Sequence, residues 1–217
     1  MYQYRWHDTR KIDLPLGKVV CVGRNYLDHI KELNNTIPEQ PLLFMKGNNA
    51  LADMTLPLAI PERGECHNEL EIALLIGEQL DADSKDVSNA VLGVGLALDF
   101  TLRDVQSELK AKGYPWERAK AFDASCPVSP FVPFNDIDDV SGLCFSLTVN
   151  GEIRQQGDAK MMMLSWQRLL QEIASVFTLY PGDVVLTGTP KGVGKIQSGD
   201  SLVAEMSEHL TITTRVA

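Results

Sequence analysis

The 217 residues carry 20 Lys and Arg against 29 Asp and Glu, a formal charge of -9 with 44% hydrophobic residues. That balance excludes the broad basic surface that nucleic acid or an anionic membrane requires, and the length is enough for one large domain with a sizeable core. Cys21, Cys66, Cys126 and Cys144 stand far apart with no CxxC pair, so neither zinc ligation nor a disulfide framework is indicated, and reduced thiols in a cytoplasmic setting fit.

The opening "MYQYRWHDTR" has charge and aromatics with no apolar stretch behind it, unlike a signal peptide. "KVVCVG" (18–23) and "PLLFMK" (41–46) read as short strands. Between them "RNYLDHIKEL" places Leu27, Ile30 and Leu33 at helical spacing. His29 and Glu32 are three apart on that helix and can hydrogen-bond. Such a pair is either a solvent-exposed i,i+3 contact or a carboxylate orienting an imidazole as general base.

"HNELEIALLIG" (67–77) is a strand apolar on both faces beyond its head, which predicts cover on both sides. Glu69 and Glu71 then share a face with Cα atoms roughly 6.5 Å apart. Desolvated together they repel unless a cation neutralises them, whereas at a solvated strand end they need no partner. In "VLGVGLALDFT" the alternation puts Gly93, Gly95, Ala97 and Asp99 on one small-residue face. Asp99 either caps the helix beginning near Thr101 or joins the glutamates as a third oxygen donor for Mg²⁺ or Mn²⁺. The run "AVLGVGLAL" is too short to span a bilayer.

Further on, "TLRDVQSELKAKG" reads as a helix with Arg103 and Gln106 on one face. Lys120 in "ERAKAFD" stands among aromatic and small residues, and Cys126 in "ASCPVSP" has no adjacent base and reads as a small buried or loop residue. "LCFSLTVNG", "DVVLTG" and "DSLVAEM" are strand-like, "SWQRLLQEIASVF" is helical, and Trp166 and the "MMM" run (161–163) read as core. "DADSKD" and "NDIDD" read as surface loops. "LTGTPKGVG" is no Walker A loop, because its glycine spacing fails and Ile196 stands where Ser or Thr is required. Strict βαβ alternation is absent, so the fold class is β-rich α+β. An anionic substrate in so acidic a chain needs local positive charge, for which Arg24, Lys46, Arg103, Lys120 and Lys191 are candidates.

"GRNYLDHIKEL", "HNELEIALLIG", "ALDFTLRDVQ", "PWERAKAFDASCPVSPF" and "VVLTGTPKGVG" follow in an order and spacing that resemble the fumarylacetoacetate hydrolase family, and in particular its short acylpyruvase and oxaloacetate-processing members. The resemblance runs from about Gly17 to Val216 and implies one catalytic domain over 1–217, with 1–16 as an N-terminal extension. It also implies a mixed β-roll, usually a homodimer, with Mg²⁺ or Mn²⁺ on Glu69, Glu71 and Asp99. His29 and Glu32 would activate water on a segment that orders over the ligand, with Gly23 as a possible hinge. Lys120 would stabilise enolate charge. Arg24, Lys46, Arg103, Gln106 and Thr189 would bind a small 2-oxo acid, its carboxylate received by the turn at Thr189.

Two departures bear on specificity: "FMKGNNA" puts Gly47 where such members often have Pro after the lysine, and Asn68 follows His67 where many have a second His. The activity implied is metal-dependent cleavage of a carbon–carbon bond in acylpyruvates, giving pyruvate and a carboxylate. Oxaloacetate decarboxylation, keto–enol tautomerisation, and isomerisation or hydration of hydroxymuconate-type diacids are the alternatives on the same site.

Overall fold

The computed structural model describes residues 2–32, 36 and 39–217. In chain order the first elements are β1 (Val19–Gly23), α1 (Leu27–Glu32), β2 (Leu42–Lys46), β3 (Leu51–Asp53), β4 (Cys66–Asn68), β5 (Leu70–Ile76), β6 (Val91–Leu98) and β7 (Thr101–Leu102). Next come α2 (Arg103–Ala111), α3 (Glu117–Lys120), β8 (Cys126–Val128), β9 (Val132–Pro133), β10 (Cys144–Val149) and β11 (Glu152–Asp158). The chain closes with α4 (Trp166–Ala174), β12 (Val184–Leu186), β13 (Gly194–Lys195), β14 (Ser201–Met206) and β15 (Leu210–Arg215).

The result is α+β and sheet-rich. The largest sheet runs β2-β1-β12-β5-β6-β8-β3 with β9 added to β6, a second runs β11-β10-β14-β15, and a small third runs β13-β4-β7. Every residue of β5 is buried, as its two apolar faces require. Leu70, Ile72, Leu74 and Ile76 enter one core with Val94, Leu96 and Leu98, whereas Ala73, Leu75 and Ala97 enter another with Tyr4, Cys21, Cys126 and Phe131. The N-terminal segment closes that second core, where the buried Tyr4 hydroxyl donates to Gly182 O at 2.9 Å. The glycine face of β6 is explained by packing: a Cβ at Gly93 would meet Trp6 and Phe131, and one at Gly95 would meet Ser129 and Phe131.

β5 and β6 pair antiparallel with Glu71 opposite Ala97 and Ala73 opposite Gly95. Past the ladder, Asp99 N donates to Glu69 O at 2.8 Å. This register brings Glu69, Glu71 and Asp99 to one end of one sheet face, as the alternation in each strand predicts.

Trp166 is buried on α4, but Met161 and Met163 are 65% and 40% exposed, so of the methionine run only Met162 packs against the core. The expected helix over 24–33 is observed as α1, with Leu33 outside the described residues. The second helix begins at Arg103, and its N-cap Leu102 supplies no side-chain cap, so Asp99 is not a helix cap. Among the described residues no helix is long and apolar enough to cross a membrane.

Candidate active site

Glu69, Glu71 and Asp99 are all buried and each can offer an oxygen within 4.8 Å of the other two. Behind and beside them stand the counter-charges. Lys120, at the end of α3, donates to Asp99 Oδ2 at 2.6 Å and to Glu69 Oε2 at 2.8 Å. Arg103, at the start of α2, pairs with Glu69 Oε1 and donates to Gln106 Oε1 at 2.7 Å. Although burial pushes the Glu69 carboxyl up, Lys120 and Arg103 outweigh it and hold it well below the usual range. For Lys120 burial alone would depress the ammonium, yet Asp99 and Glu69 raise it, so it stays charged.

Glu71 is the exception. Burial, then Asp99 and Glu69, push its carboxyl well up, and the Gly188 N–H it accepts does not compensate. Asp99 Oδ1, although 2.8 Å from Lys46 Nζ, accepts no hydrogen bond among the described residues. A buried carboxylate starved of positive charge beside a carboxylate oxygen lacking a donor is the environment that a divalent cation relieves. The donor set consists of hard oxygens and fits Mg²⁺ or Mn²⁺.

Lys46 faces away from the ligand space. Fully buried at the end of β2, its ammonium donates to the carbonyls of Phe100, Lys120 and Ser125 and to Ser125 Oγ. It therefore stands behind Asp99 as an internal counter-charge and is not among the residues lining the cavity at the acidic cluster, where the resemblance would have it bind substrate. Lys191 is exposed and lies 3.4 Å from Asp28 at the surface. Gly47 adopts an extended conformation and leads into a short 3-10 turn, so its lack of a ring does not misdirect Lys46.

A small cavity of about 40 Å³ opens onto the cluster, walled also by Arg24, His29, Phe44, Lys110, Trp116 and Thr189. His29 is buried, and its Nδ1 lies 3.3 Å from Glu32 Oε2, so the reading of this pair as a surface contact does not hold. Burial depresses the imidazole, opposed by Glu69 and Glu32. Glu32 Oε1 meanwhile accepts from Gly192 N at 2.9 Å, seating α1 on the turn that follows β12. Left-handed backbone is found at Arg24 (φ 65°), immediately after Gly23.

Turn 187–190 is held from several sides. Thr187 Oγ1 donates to Ile72 O, Thr189 Oγ1 donates to Leu70 O, and Asn25 Nδ2 donates to Thr187 O. Gly188 has φ 95°, and a Cβ there would fall 2.7 Å from that of Asn25. Asn25, Gln155, Phe44 and Trp116 escaped the sequence reading. Trp116 lies inside a quoted motif, but Gln155 sits in the polar strand "EIRQQGD", where no apolar alternation marks it.

A larger cavity of about 530 Å³ lies on the far side of α1, between Tyr26, Phe145 and Met161. It brings no convergent charged cluster comparable to the acidic site, so the chemistry is placed in the smaller one.

Comparison with known proteins agrees with this geometry. The model of the fumarylacetoacetate hydrolase C-terminal family matches residues 18–217. Oxaloacetate tautomerase YcgM of Escherichia coli is 49% identical over 219 residues, covering all of both chains. A crystal structure of a fumarylacetoacetate hydrolase family protein from Yersinia pestis is 47% identical and superposes with a TM-score of 0.97, again over both whole chains. Fumarylpyruvate hydrolase from Pseudomonas aeruginosa, solved with Mn²⁺ and pyruvate, is 32% identical with a TM-score of 0.93, covering 100% of this chain and 95% of that one.

Proposed function

The chain belongs to the fumarylacetoacetate hydrolase family, and from that premise we propose that it is a Mg²⁺- or Mn²⁺-dependent enzyme that interconverts the keto and enol forms of oxaloacetate. The observation that carries this reading is the convergence of a buried, neutral-tending His29, a charged Lys120 and three buried carboxylates able to share a cation on one small cavity. The tautomerase from Escherichia coli, alike over its whole length, supports the choice of substrate.

Glu69, Glu71 and Asp99 would hold the metal, which when bound supplies Lewis-acid polarisation of the 2-oxo group. With Glu32 at Nδ1, the His29 proton resides on that nitrogen and Nε2 is left as the base. Nε2 takes a proton from C3 of oxaloacetate. Negative charge then grows on the C2 oxygen, where the Lys120 ammonium, with two of its three N–H groups already on Glu69 and Asp99, and the Arg103 guanidinium oppose it. Return of the proton to that oxygen gives the enol. Loss of CO₂ from C4 would instead leave the enolate of pyruvate, whose charge falls on the same C2 oxygen, so decarboxylation draws on the same groups.

Hydrolysis of acylpyruvates is the second reading, and one feature favours it. An apolar recess of about 270 Å³ between Leu43, Tyr114 and Pro115 shares Leu42, Phe44, Trp116 and Lys120 with the acidic cavity. An acyl tail would fit there, whereas the second carboxylate of oxaloacetate gains little from apolar walls. Following enol absorbance of oxaloacetate and cleavage of acetylpyruvate, each with Mg²⁺ and Mn²⁺, tests both. Tautomerisation faster than cleavage is expected, and the reverse order overturns the assignment.

A further inference from the structure

Gln155 projects from β11 into the space behind turn 187–190 and is 1% exposed. Its Oε1 accepts from Leu70 N at 2.9 Å and from Asn68 Nδ2 at 2.8 Å, and its Nε2 donates to Thr189 Oγ1 at 2.8 Å and to Pro190 O at 3.1 Å. A backbone N–H only donates and a carbonyl only accepts, so Leu70 and Pro190 fix which end of the amide faces Thr189. The N–H end does. The Thr189 hydroxyl in turn donates to Leu70 O at 2.8 Å.

A hydroxyl has one proton and two lone pairs. Because Gln155 fills one lone pair with a donor, the Thr189 proton cannot turn toward that side, and its remaining destinations are Leu70 O and a ligand oxygen in the cavity that Thr189 lines. Donation by Gln155 also polarises the hydroxyl and strengthens it as a donor. We propose that Gln155 is a positioning residue which keeps the Thr189 hydroxyl a donor toward the carboxylate of a 2-oxo acid, and so sets the affinity of the site for that carboxylate. The proposal rests on the functional reading above for the identity of the ligand, and on the hydrogen bonds alone for the role of Gln155.

Gln155→Glu is the incisive variant. It is isosteric and still accepts from Leu70 N and Asn68, but it presents an oxygen to Thr189, so the hydroxyl proton is captured by residue 155. On the Mg²⁺-loaded protein, the pyruvate Kd by calorimetry and the KM for oxaloacetate should both rise about 10- to 100-fold, the change expected on losing one hydrogen bond to a charged group, while kcat changes much less. In a Thr189→Val background Gln155→Met, which introduces no new anion beside the ligand, should add nothing, since its effect passes through the hydroxyl. Gln155→Met, which removes the donor without adding charge, should give a smaller rise of the same sign and stands in if the Glu variant fails to fold. An unchanged pyruvate Kd in a folded variant, or a rise on Gln155→Met that persists in the Thr189→Val background, overturns the proposal. If wild type binds pyruvate but does not process oxaloacetate, the functional reading fails while the role of Gln155 is still decided. Absence of pyruvate binding to wild type overturns both.

Discussion

Glu32 Oε1 accepts the Gly192 N–H at 2.9 Å while Glu32 Oε2 faces His29 Nδ1 at 3.3 Å. One carboxylate thus seats α1 and orients the imidazole together, so the base is assembled when the helix is docked on the turn that follows β12. In Glu32→Gln the amide oxygen can still accept from Gly192, but its NH₂ then faces Nδ1. The imidazole proton must move to Nε2, which ceases to be basic. We expect kcat to fall by roughly 10²- to 10⁴-fold, the usual contribution of a positioned base, with the melting temperature shifted by only a few degrees.

Acidity should act through His29. An ordinary histidine titrates near 6.5, and burial lowers this one. The neutral, active form therefore persists as pH falls through about 6.5, and the acid limb of kcat/KM should lie below that value. Stability follows the same sign. The unfolded chain takes up the proton first, so this contribution is intact above about 6.5 and declines as pH drops from there toward the folded value. An acid limb above 6.5 that His29→Gln leaves in place would assign the limb to another group.

Removal of Glu71 should separate metal binding from folding. Burial and two neighbouring carboxylates push it up in the metal-free protein, so Glu71→Gln discards an ill-compensated charge. Without metal the variant should melt at or above the wild-type temperature. Adding Mg²⁺ or Mn²⁺ should raise the melting temperature of wild type and leave that of the variant nearly unmoved. A variant that still gains stability from metal as wild type does would show that Glu71 is not a ligand.

Much of this was legible because β5 and β6 obey a period of two. Side-chain alternation alone places Glu69 and Glu71 on one face and Asp99 on the matching face of its own strand, and the antiparallel register merges them. Helical spacing likewise put His29 beside Glu32. Depth was not legible. Nothing local distinguishes Lys46, with no exposed surface, from the 67% exposed Lys191 side chain, because the difference lies in carbonyls contributed from residues 100, 120 and 125. Gln155 was hidden for the same reason, its four partners coming from distant stretches of chain. Short strands such as β7 and β13 exist only through tertiary pairing with β4.

Lys46 offers the sharpest contrast between a ligand contact and an internal counter-charge. Its ammonium lies 2.8 Å from Asp99 Oδ1 and donates to three backbone carbonyls, with no exposed surface. In Lys46→Met the stem is replaced at similar volume, but Asp99 loses a buried partner and the carbonyls of Phe100 and Ser125 lose their donor. Breaking a buried pair from one side costs about 3–5 kcal/mol. For a chain of this size that corresponds to a fall of roughly 6–20 °C in melting temperature. Bound Mg²⁺ should recover part of the loss, because a cation on Asp99 supplies some of the missing charge. A lysine that touched substrate would behave oppositely, raising KM with little change in melting temperature. Thermal melts with and without Mg²⁺, set beside KM for oxaloacetate, tell the two apart, and an unshifted melt would return Lys46 to the substrate's side of the cluster.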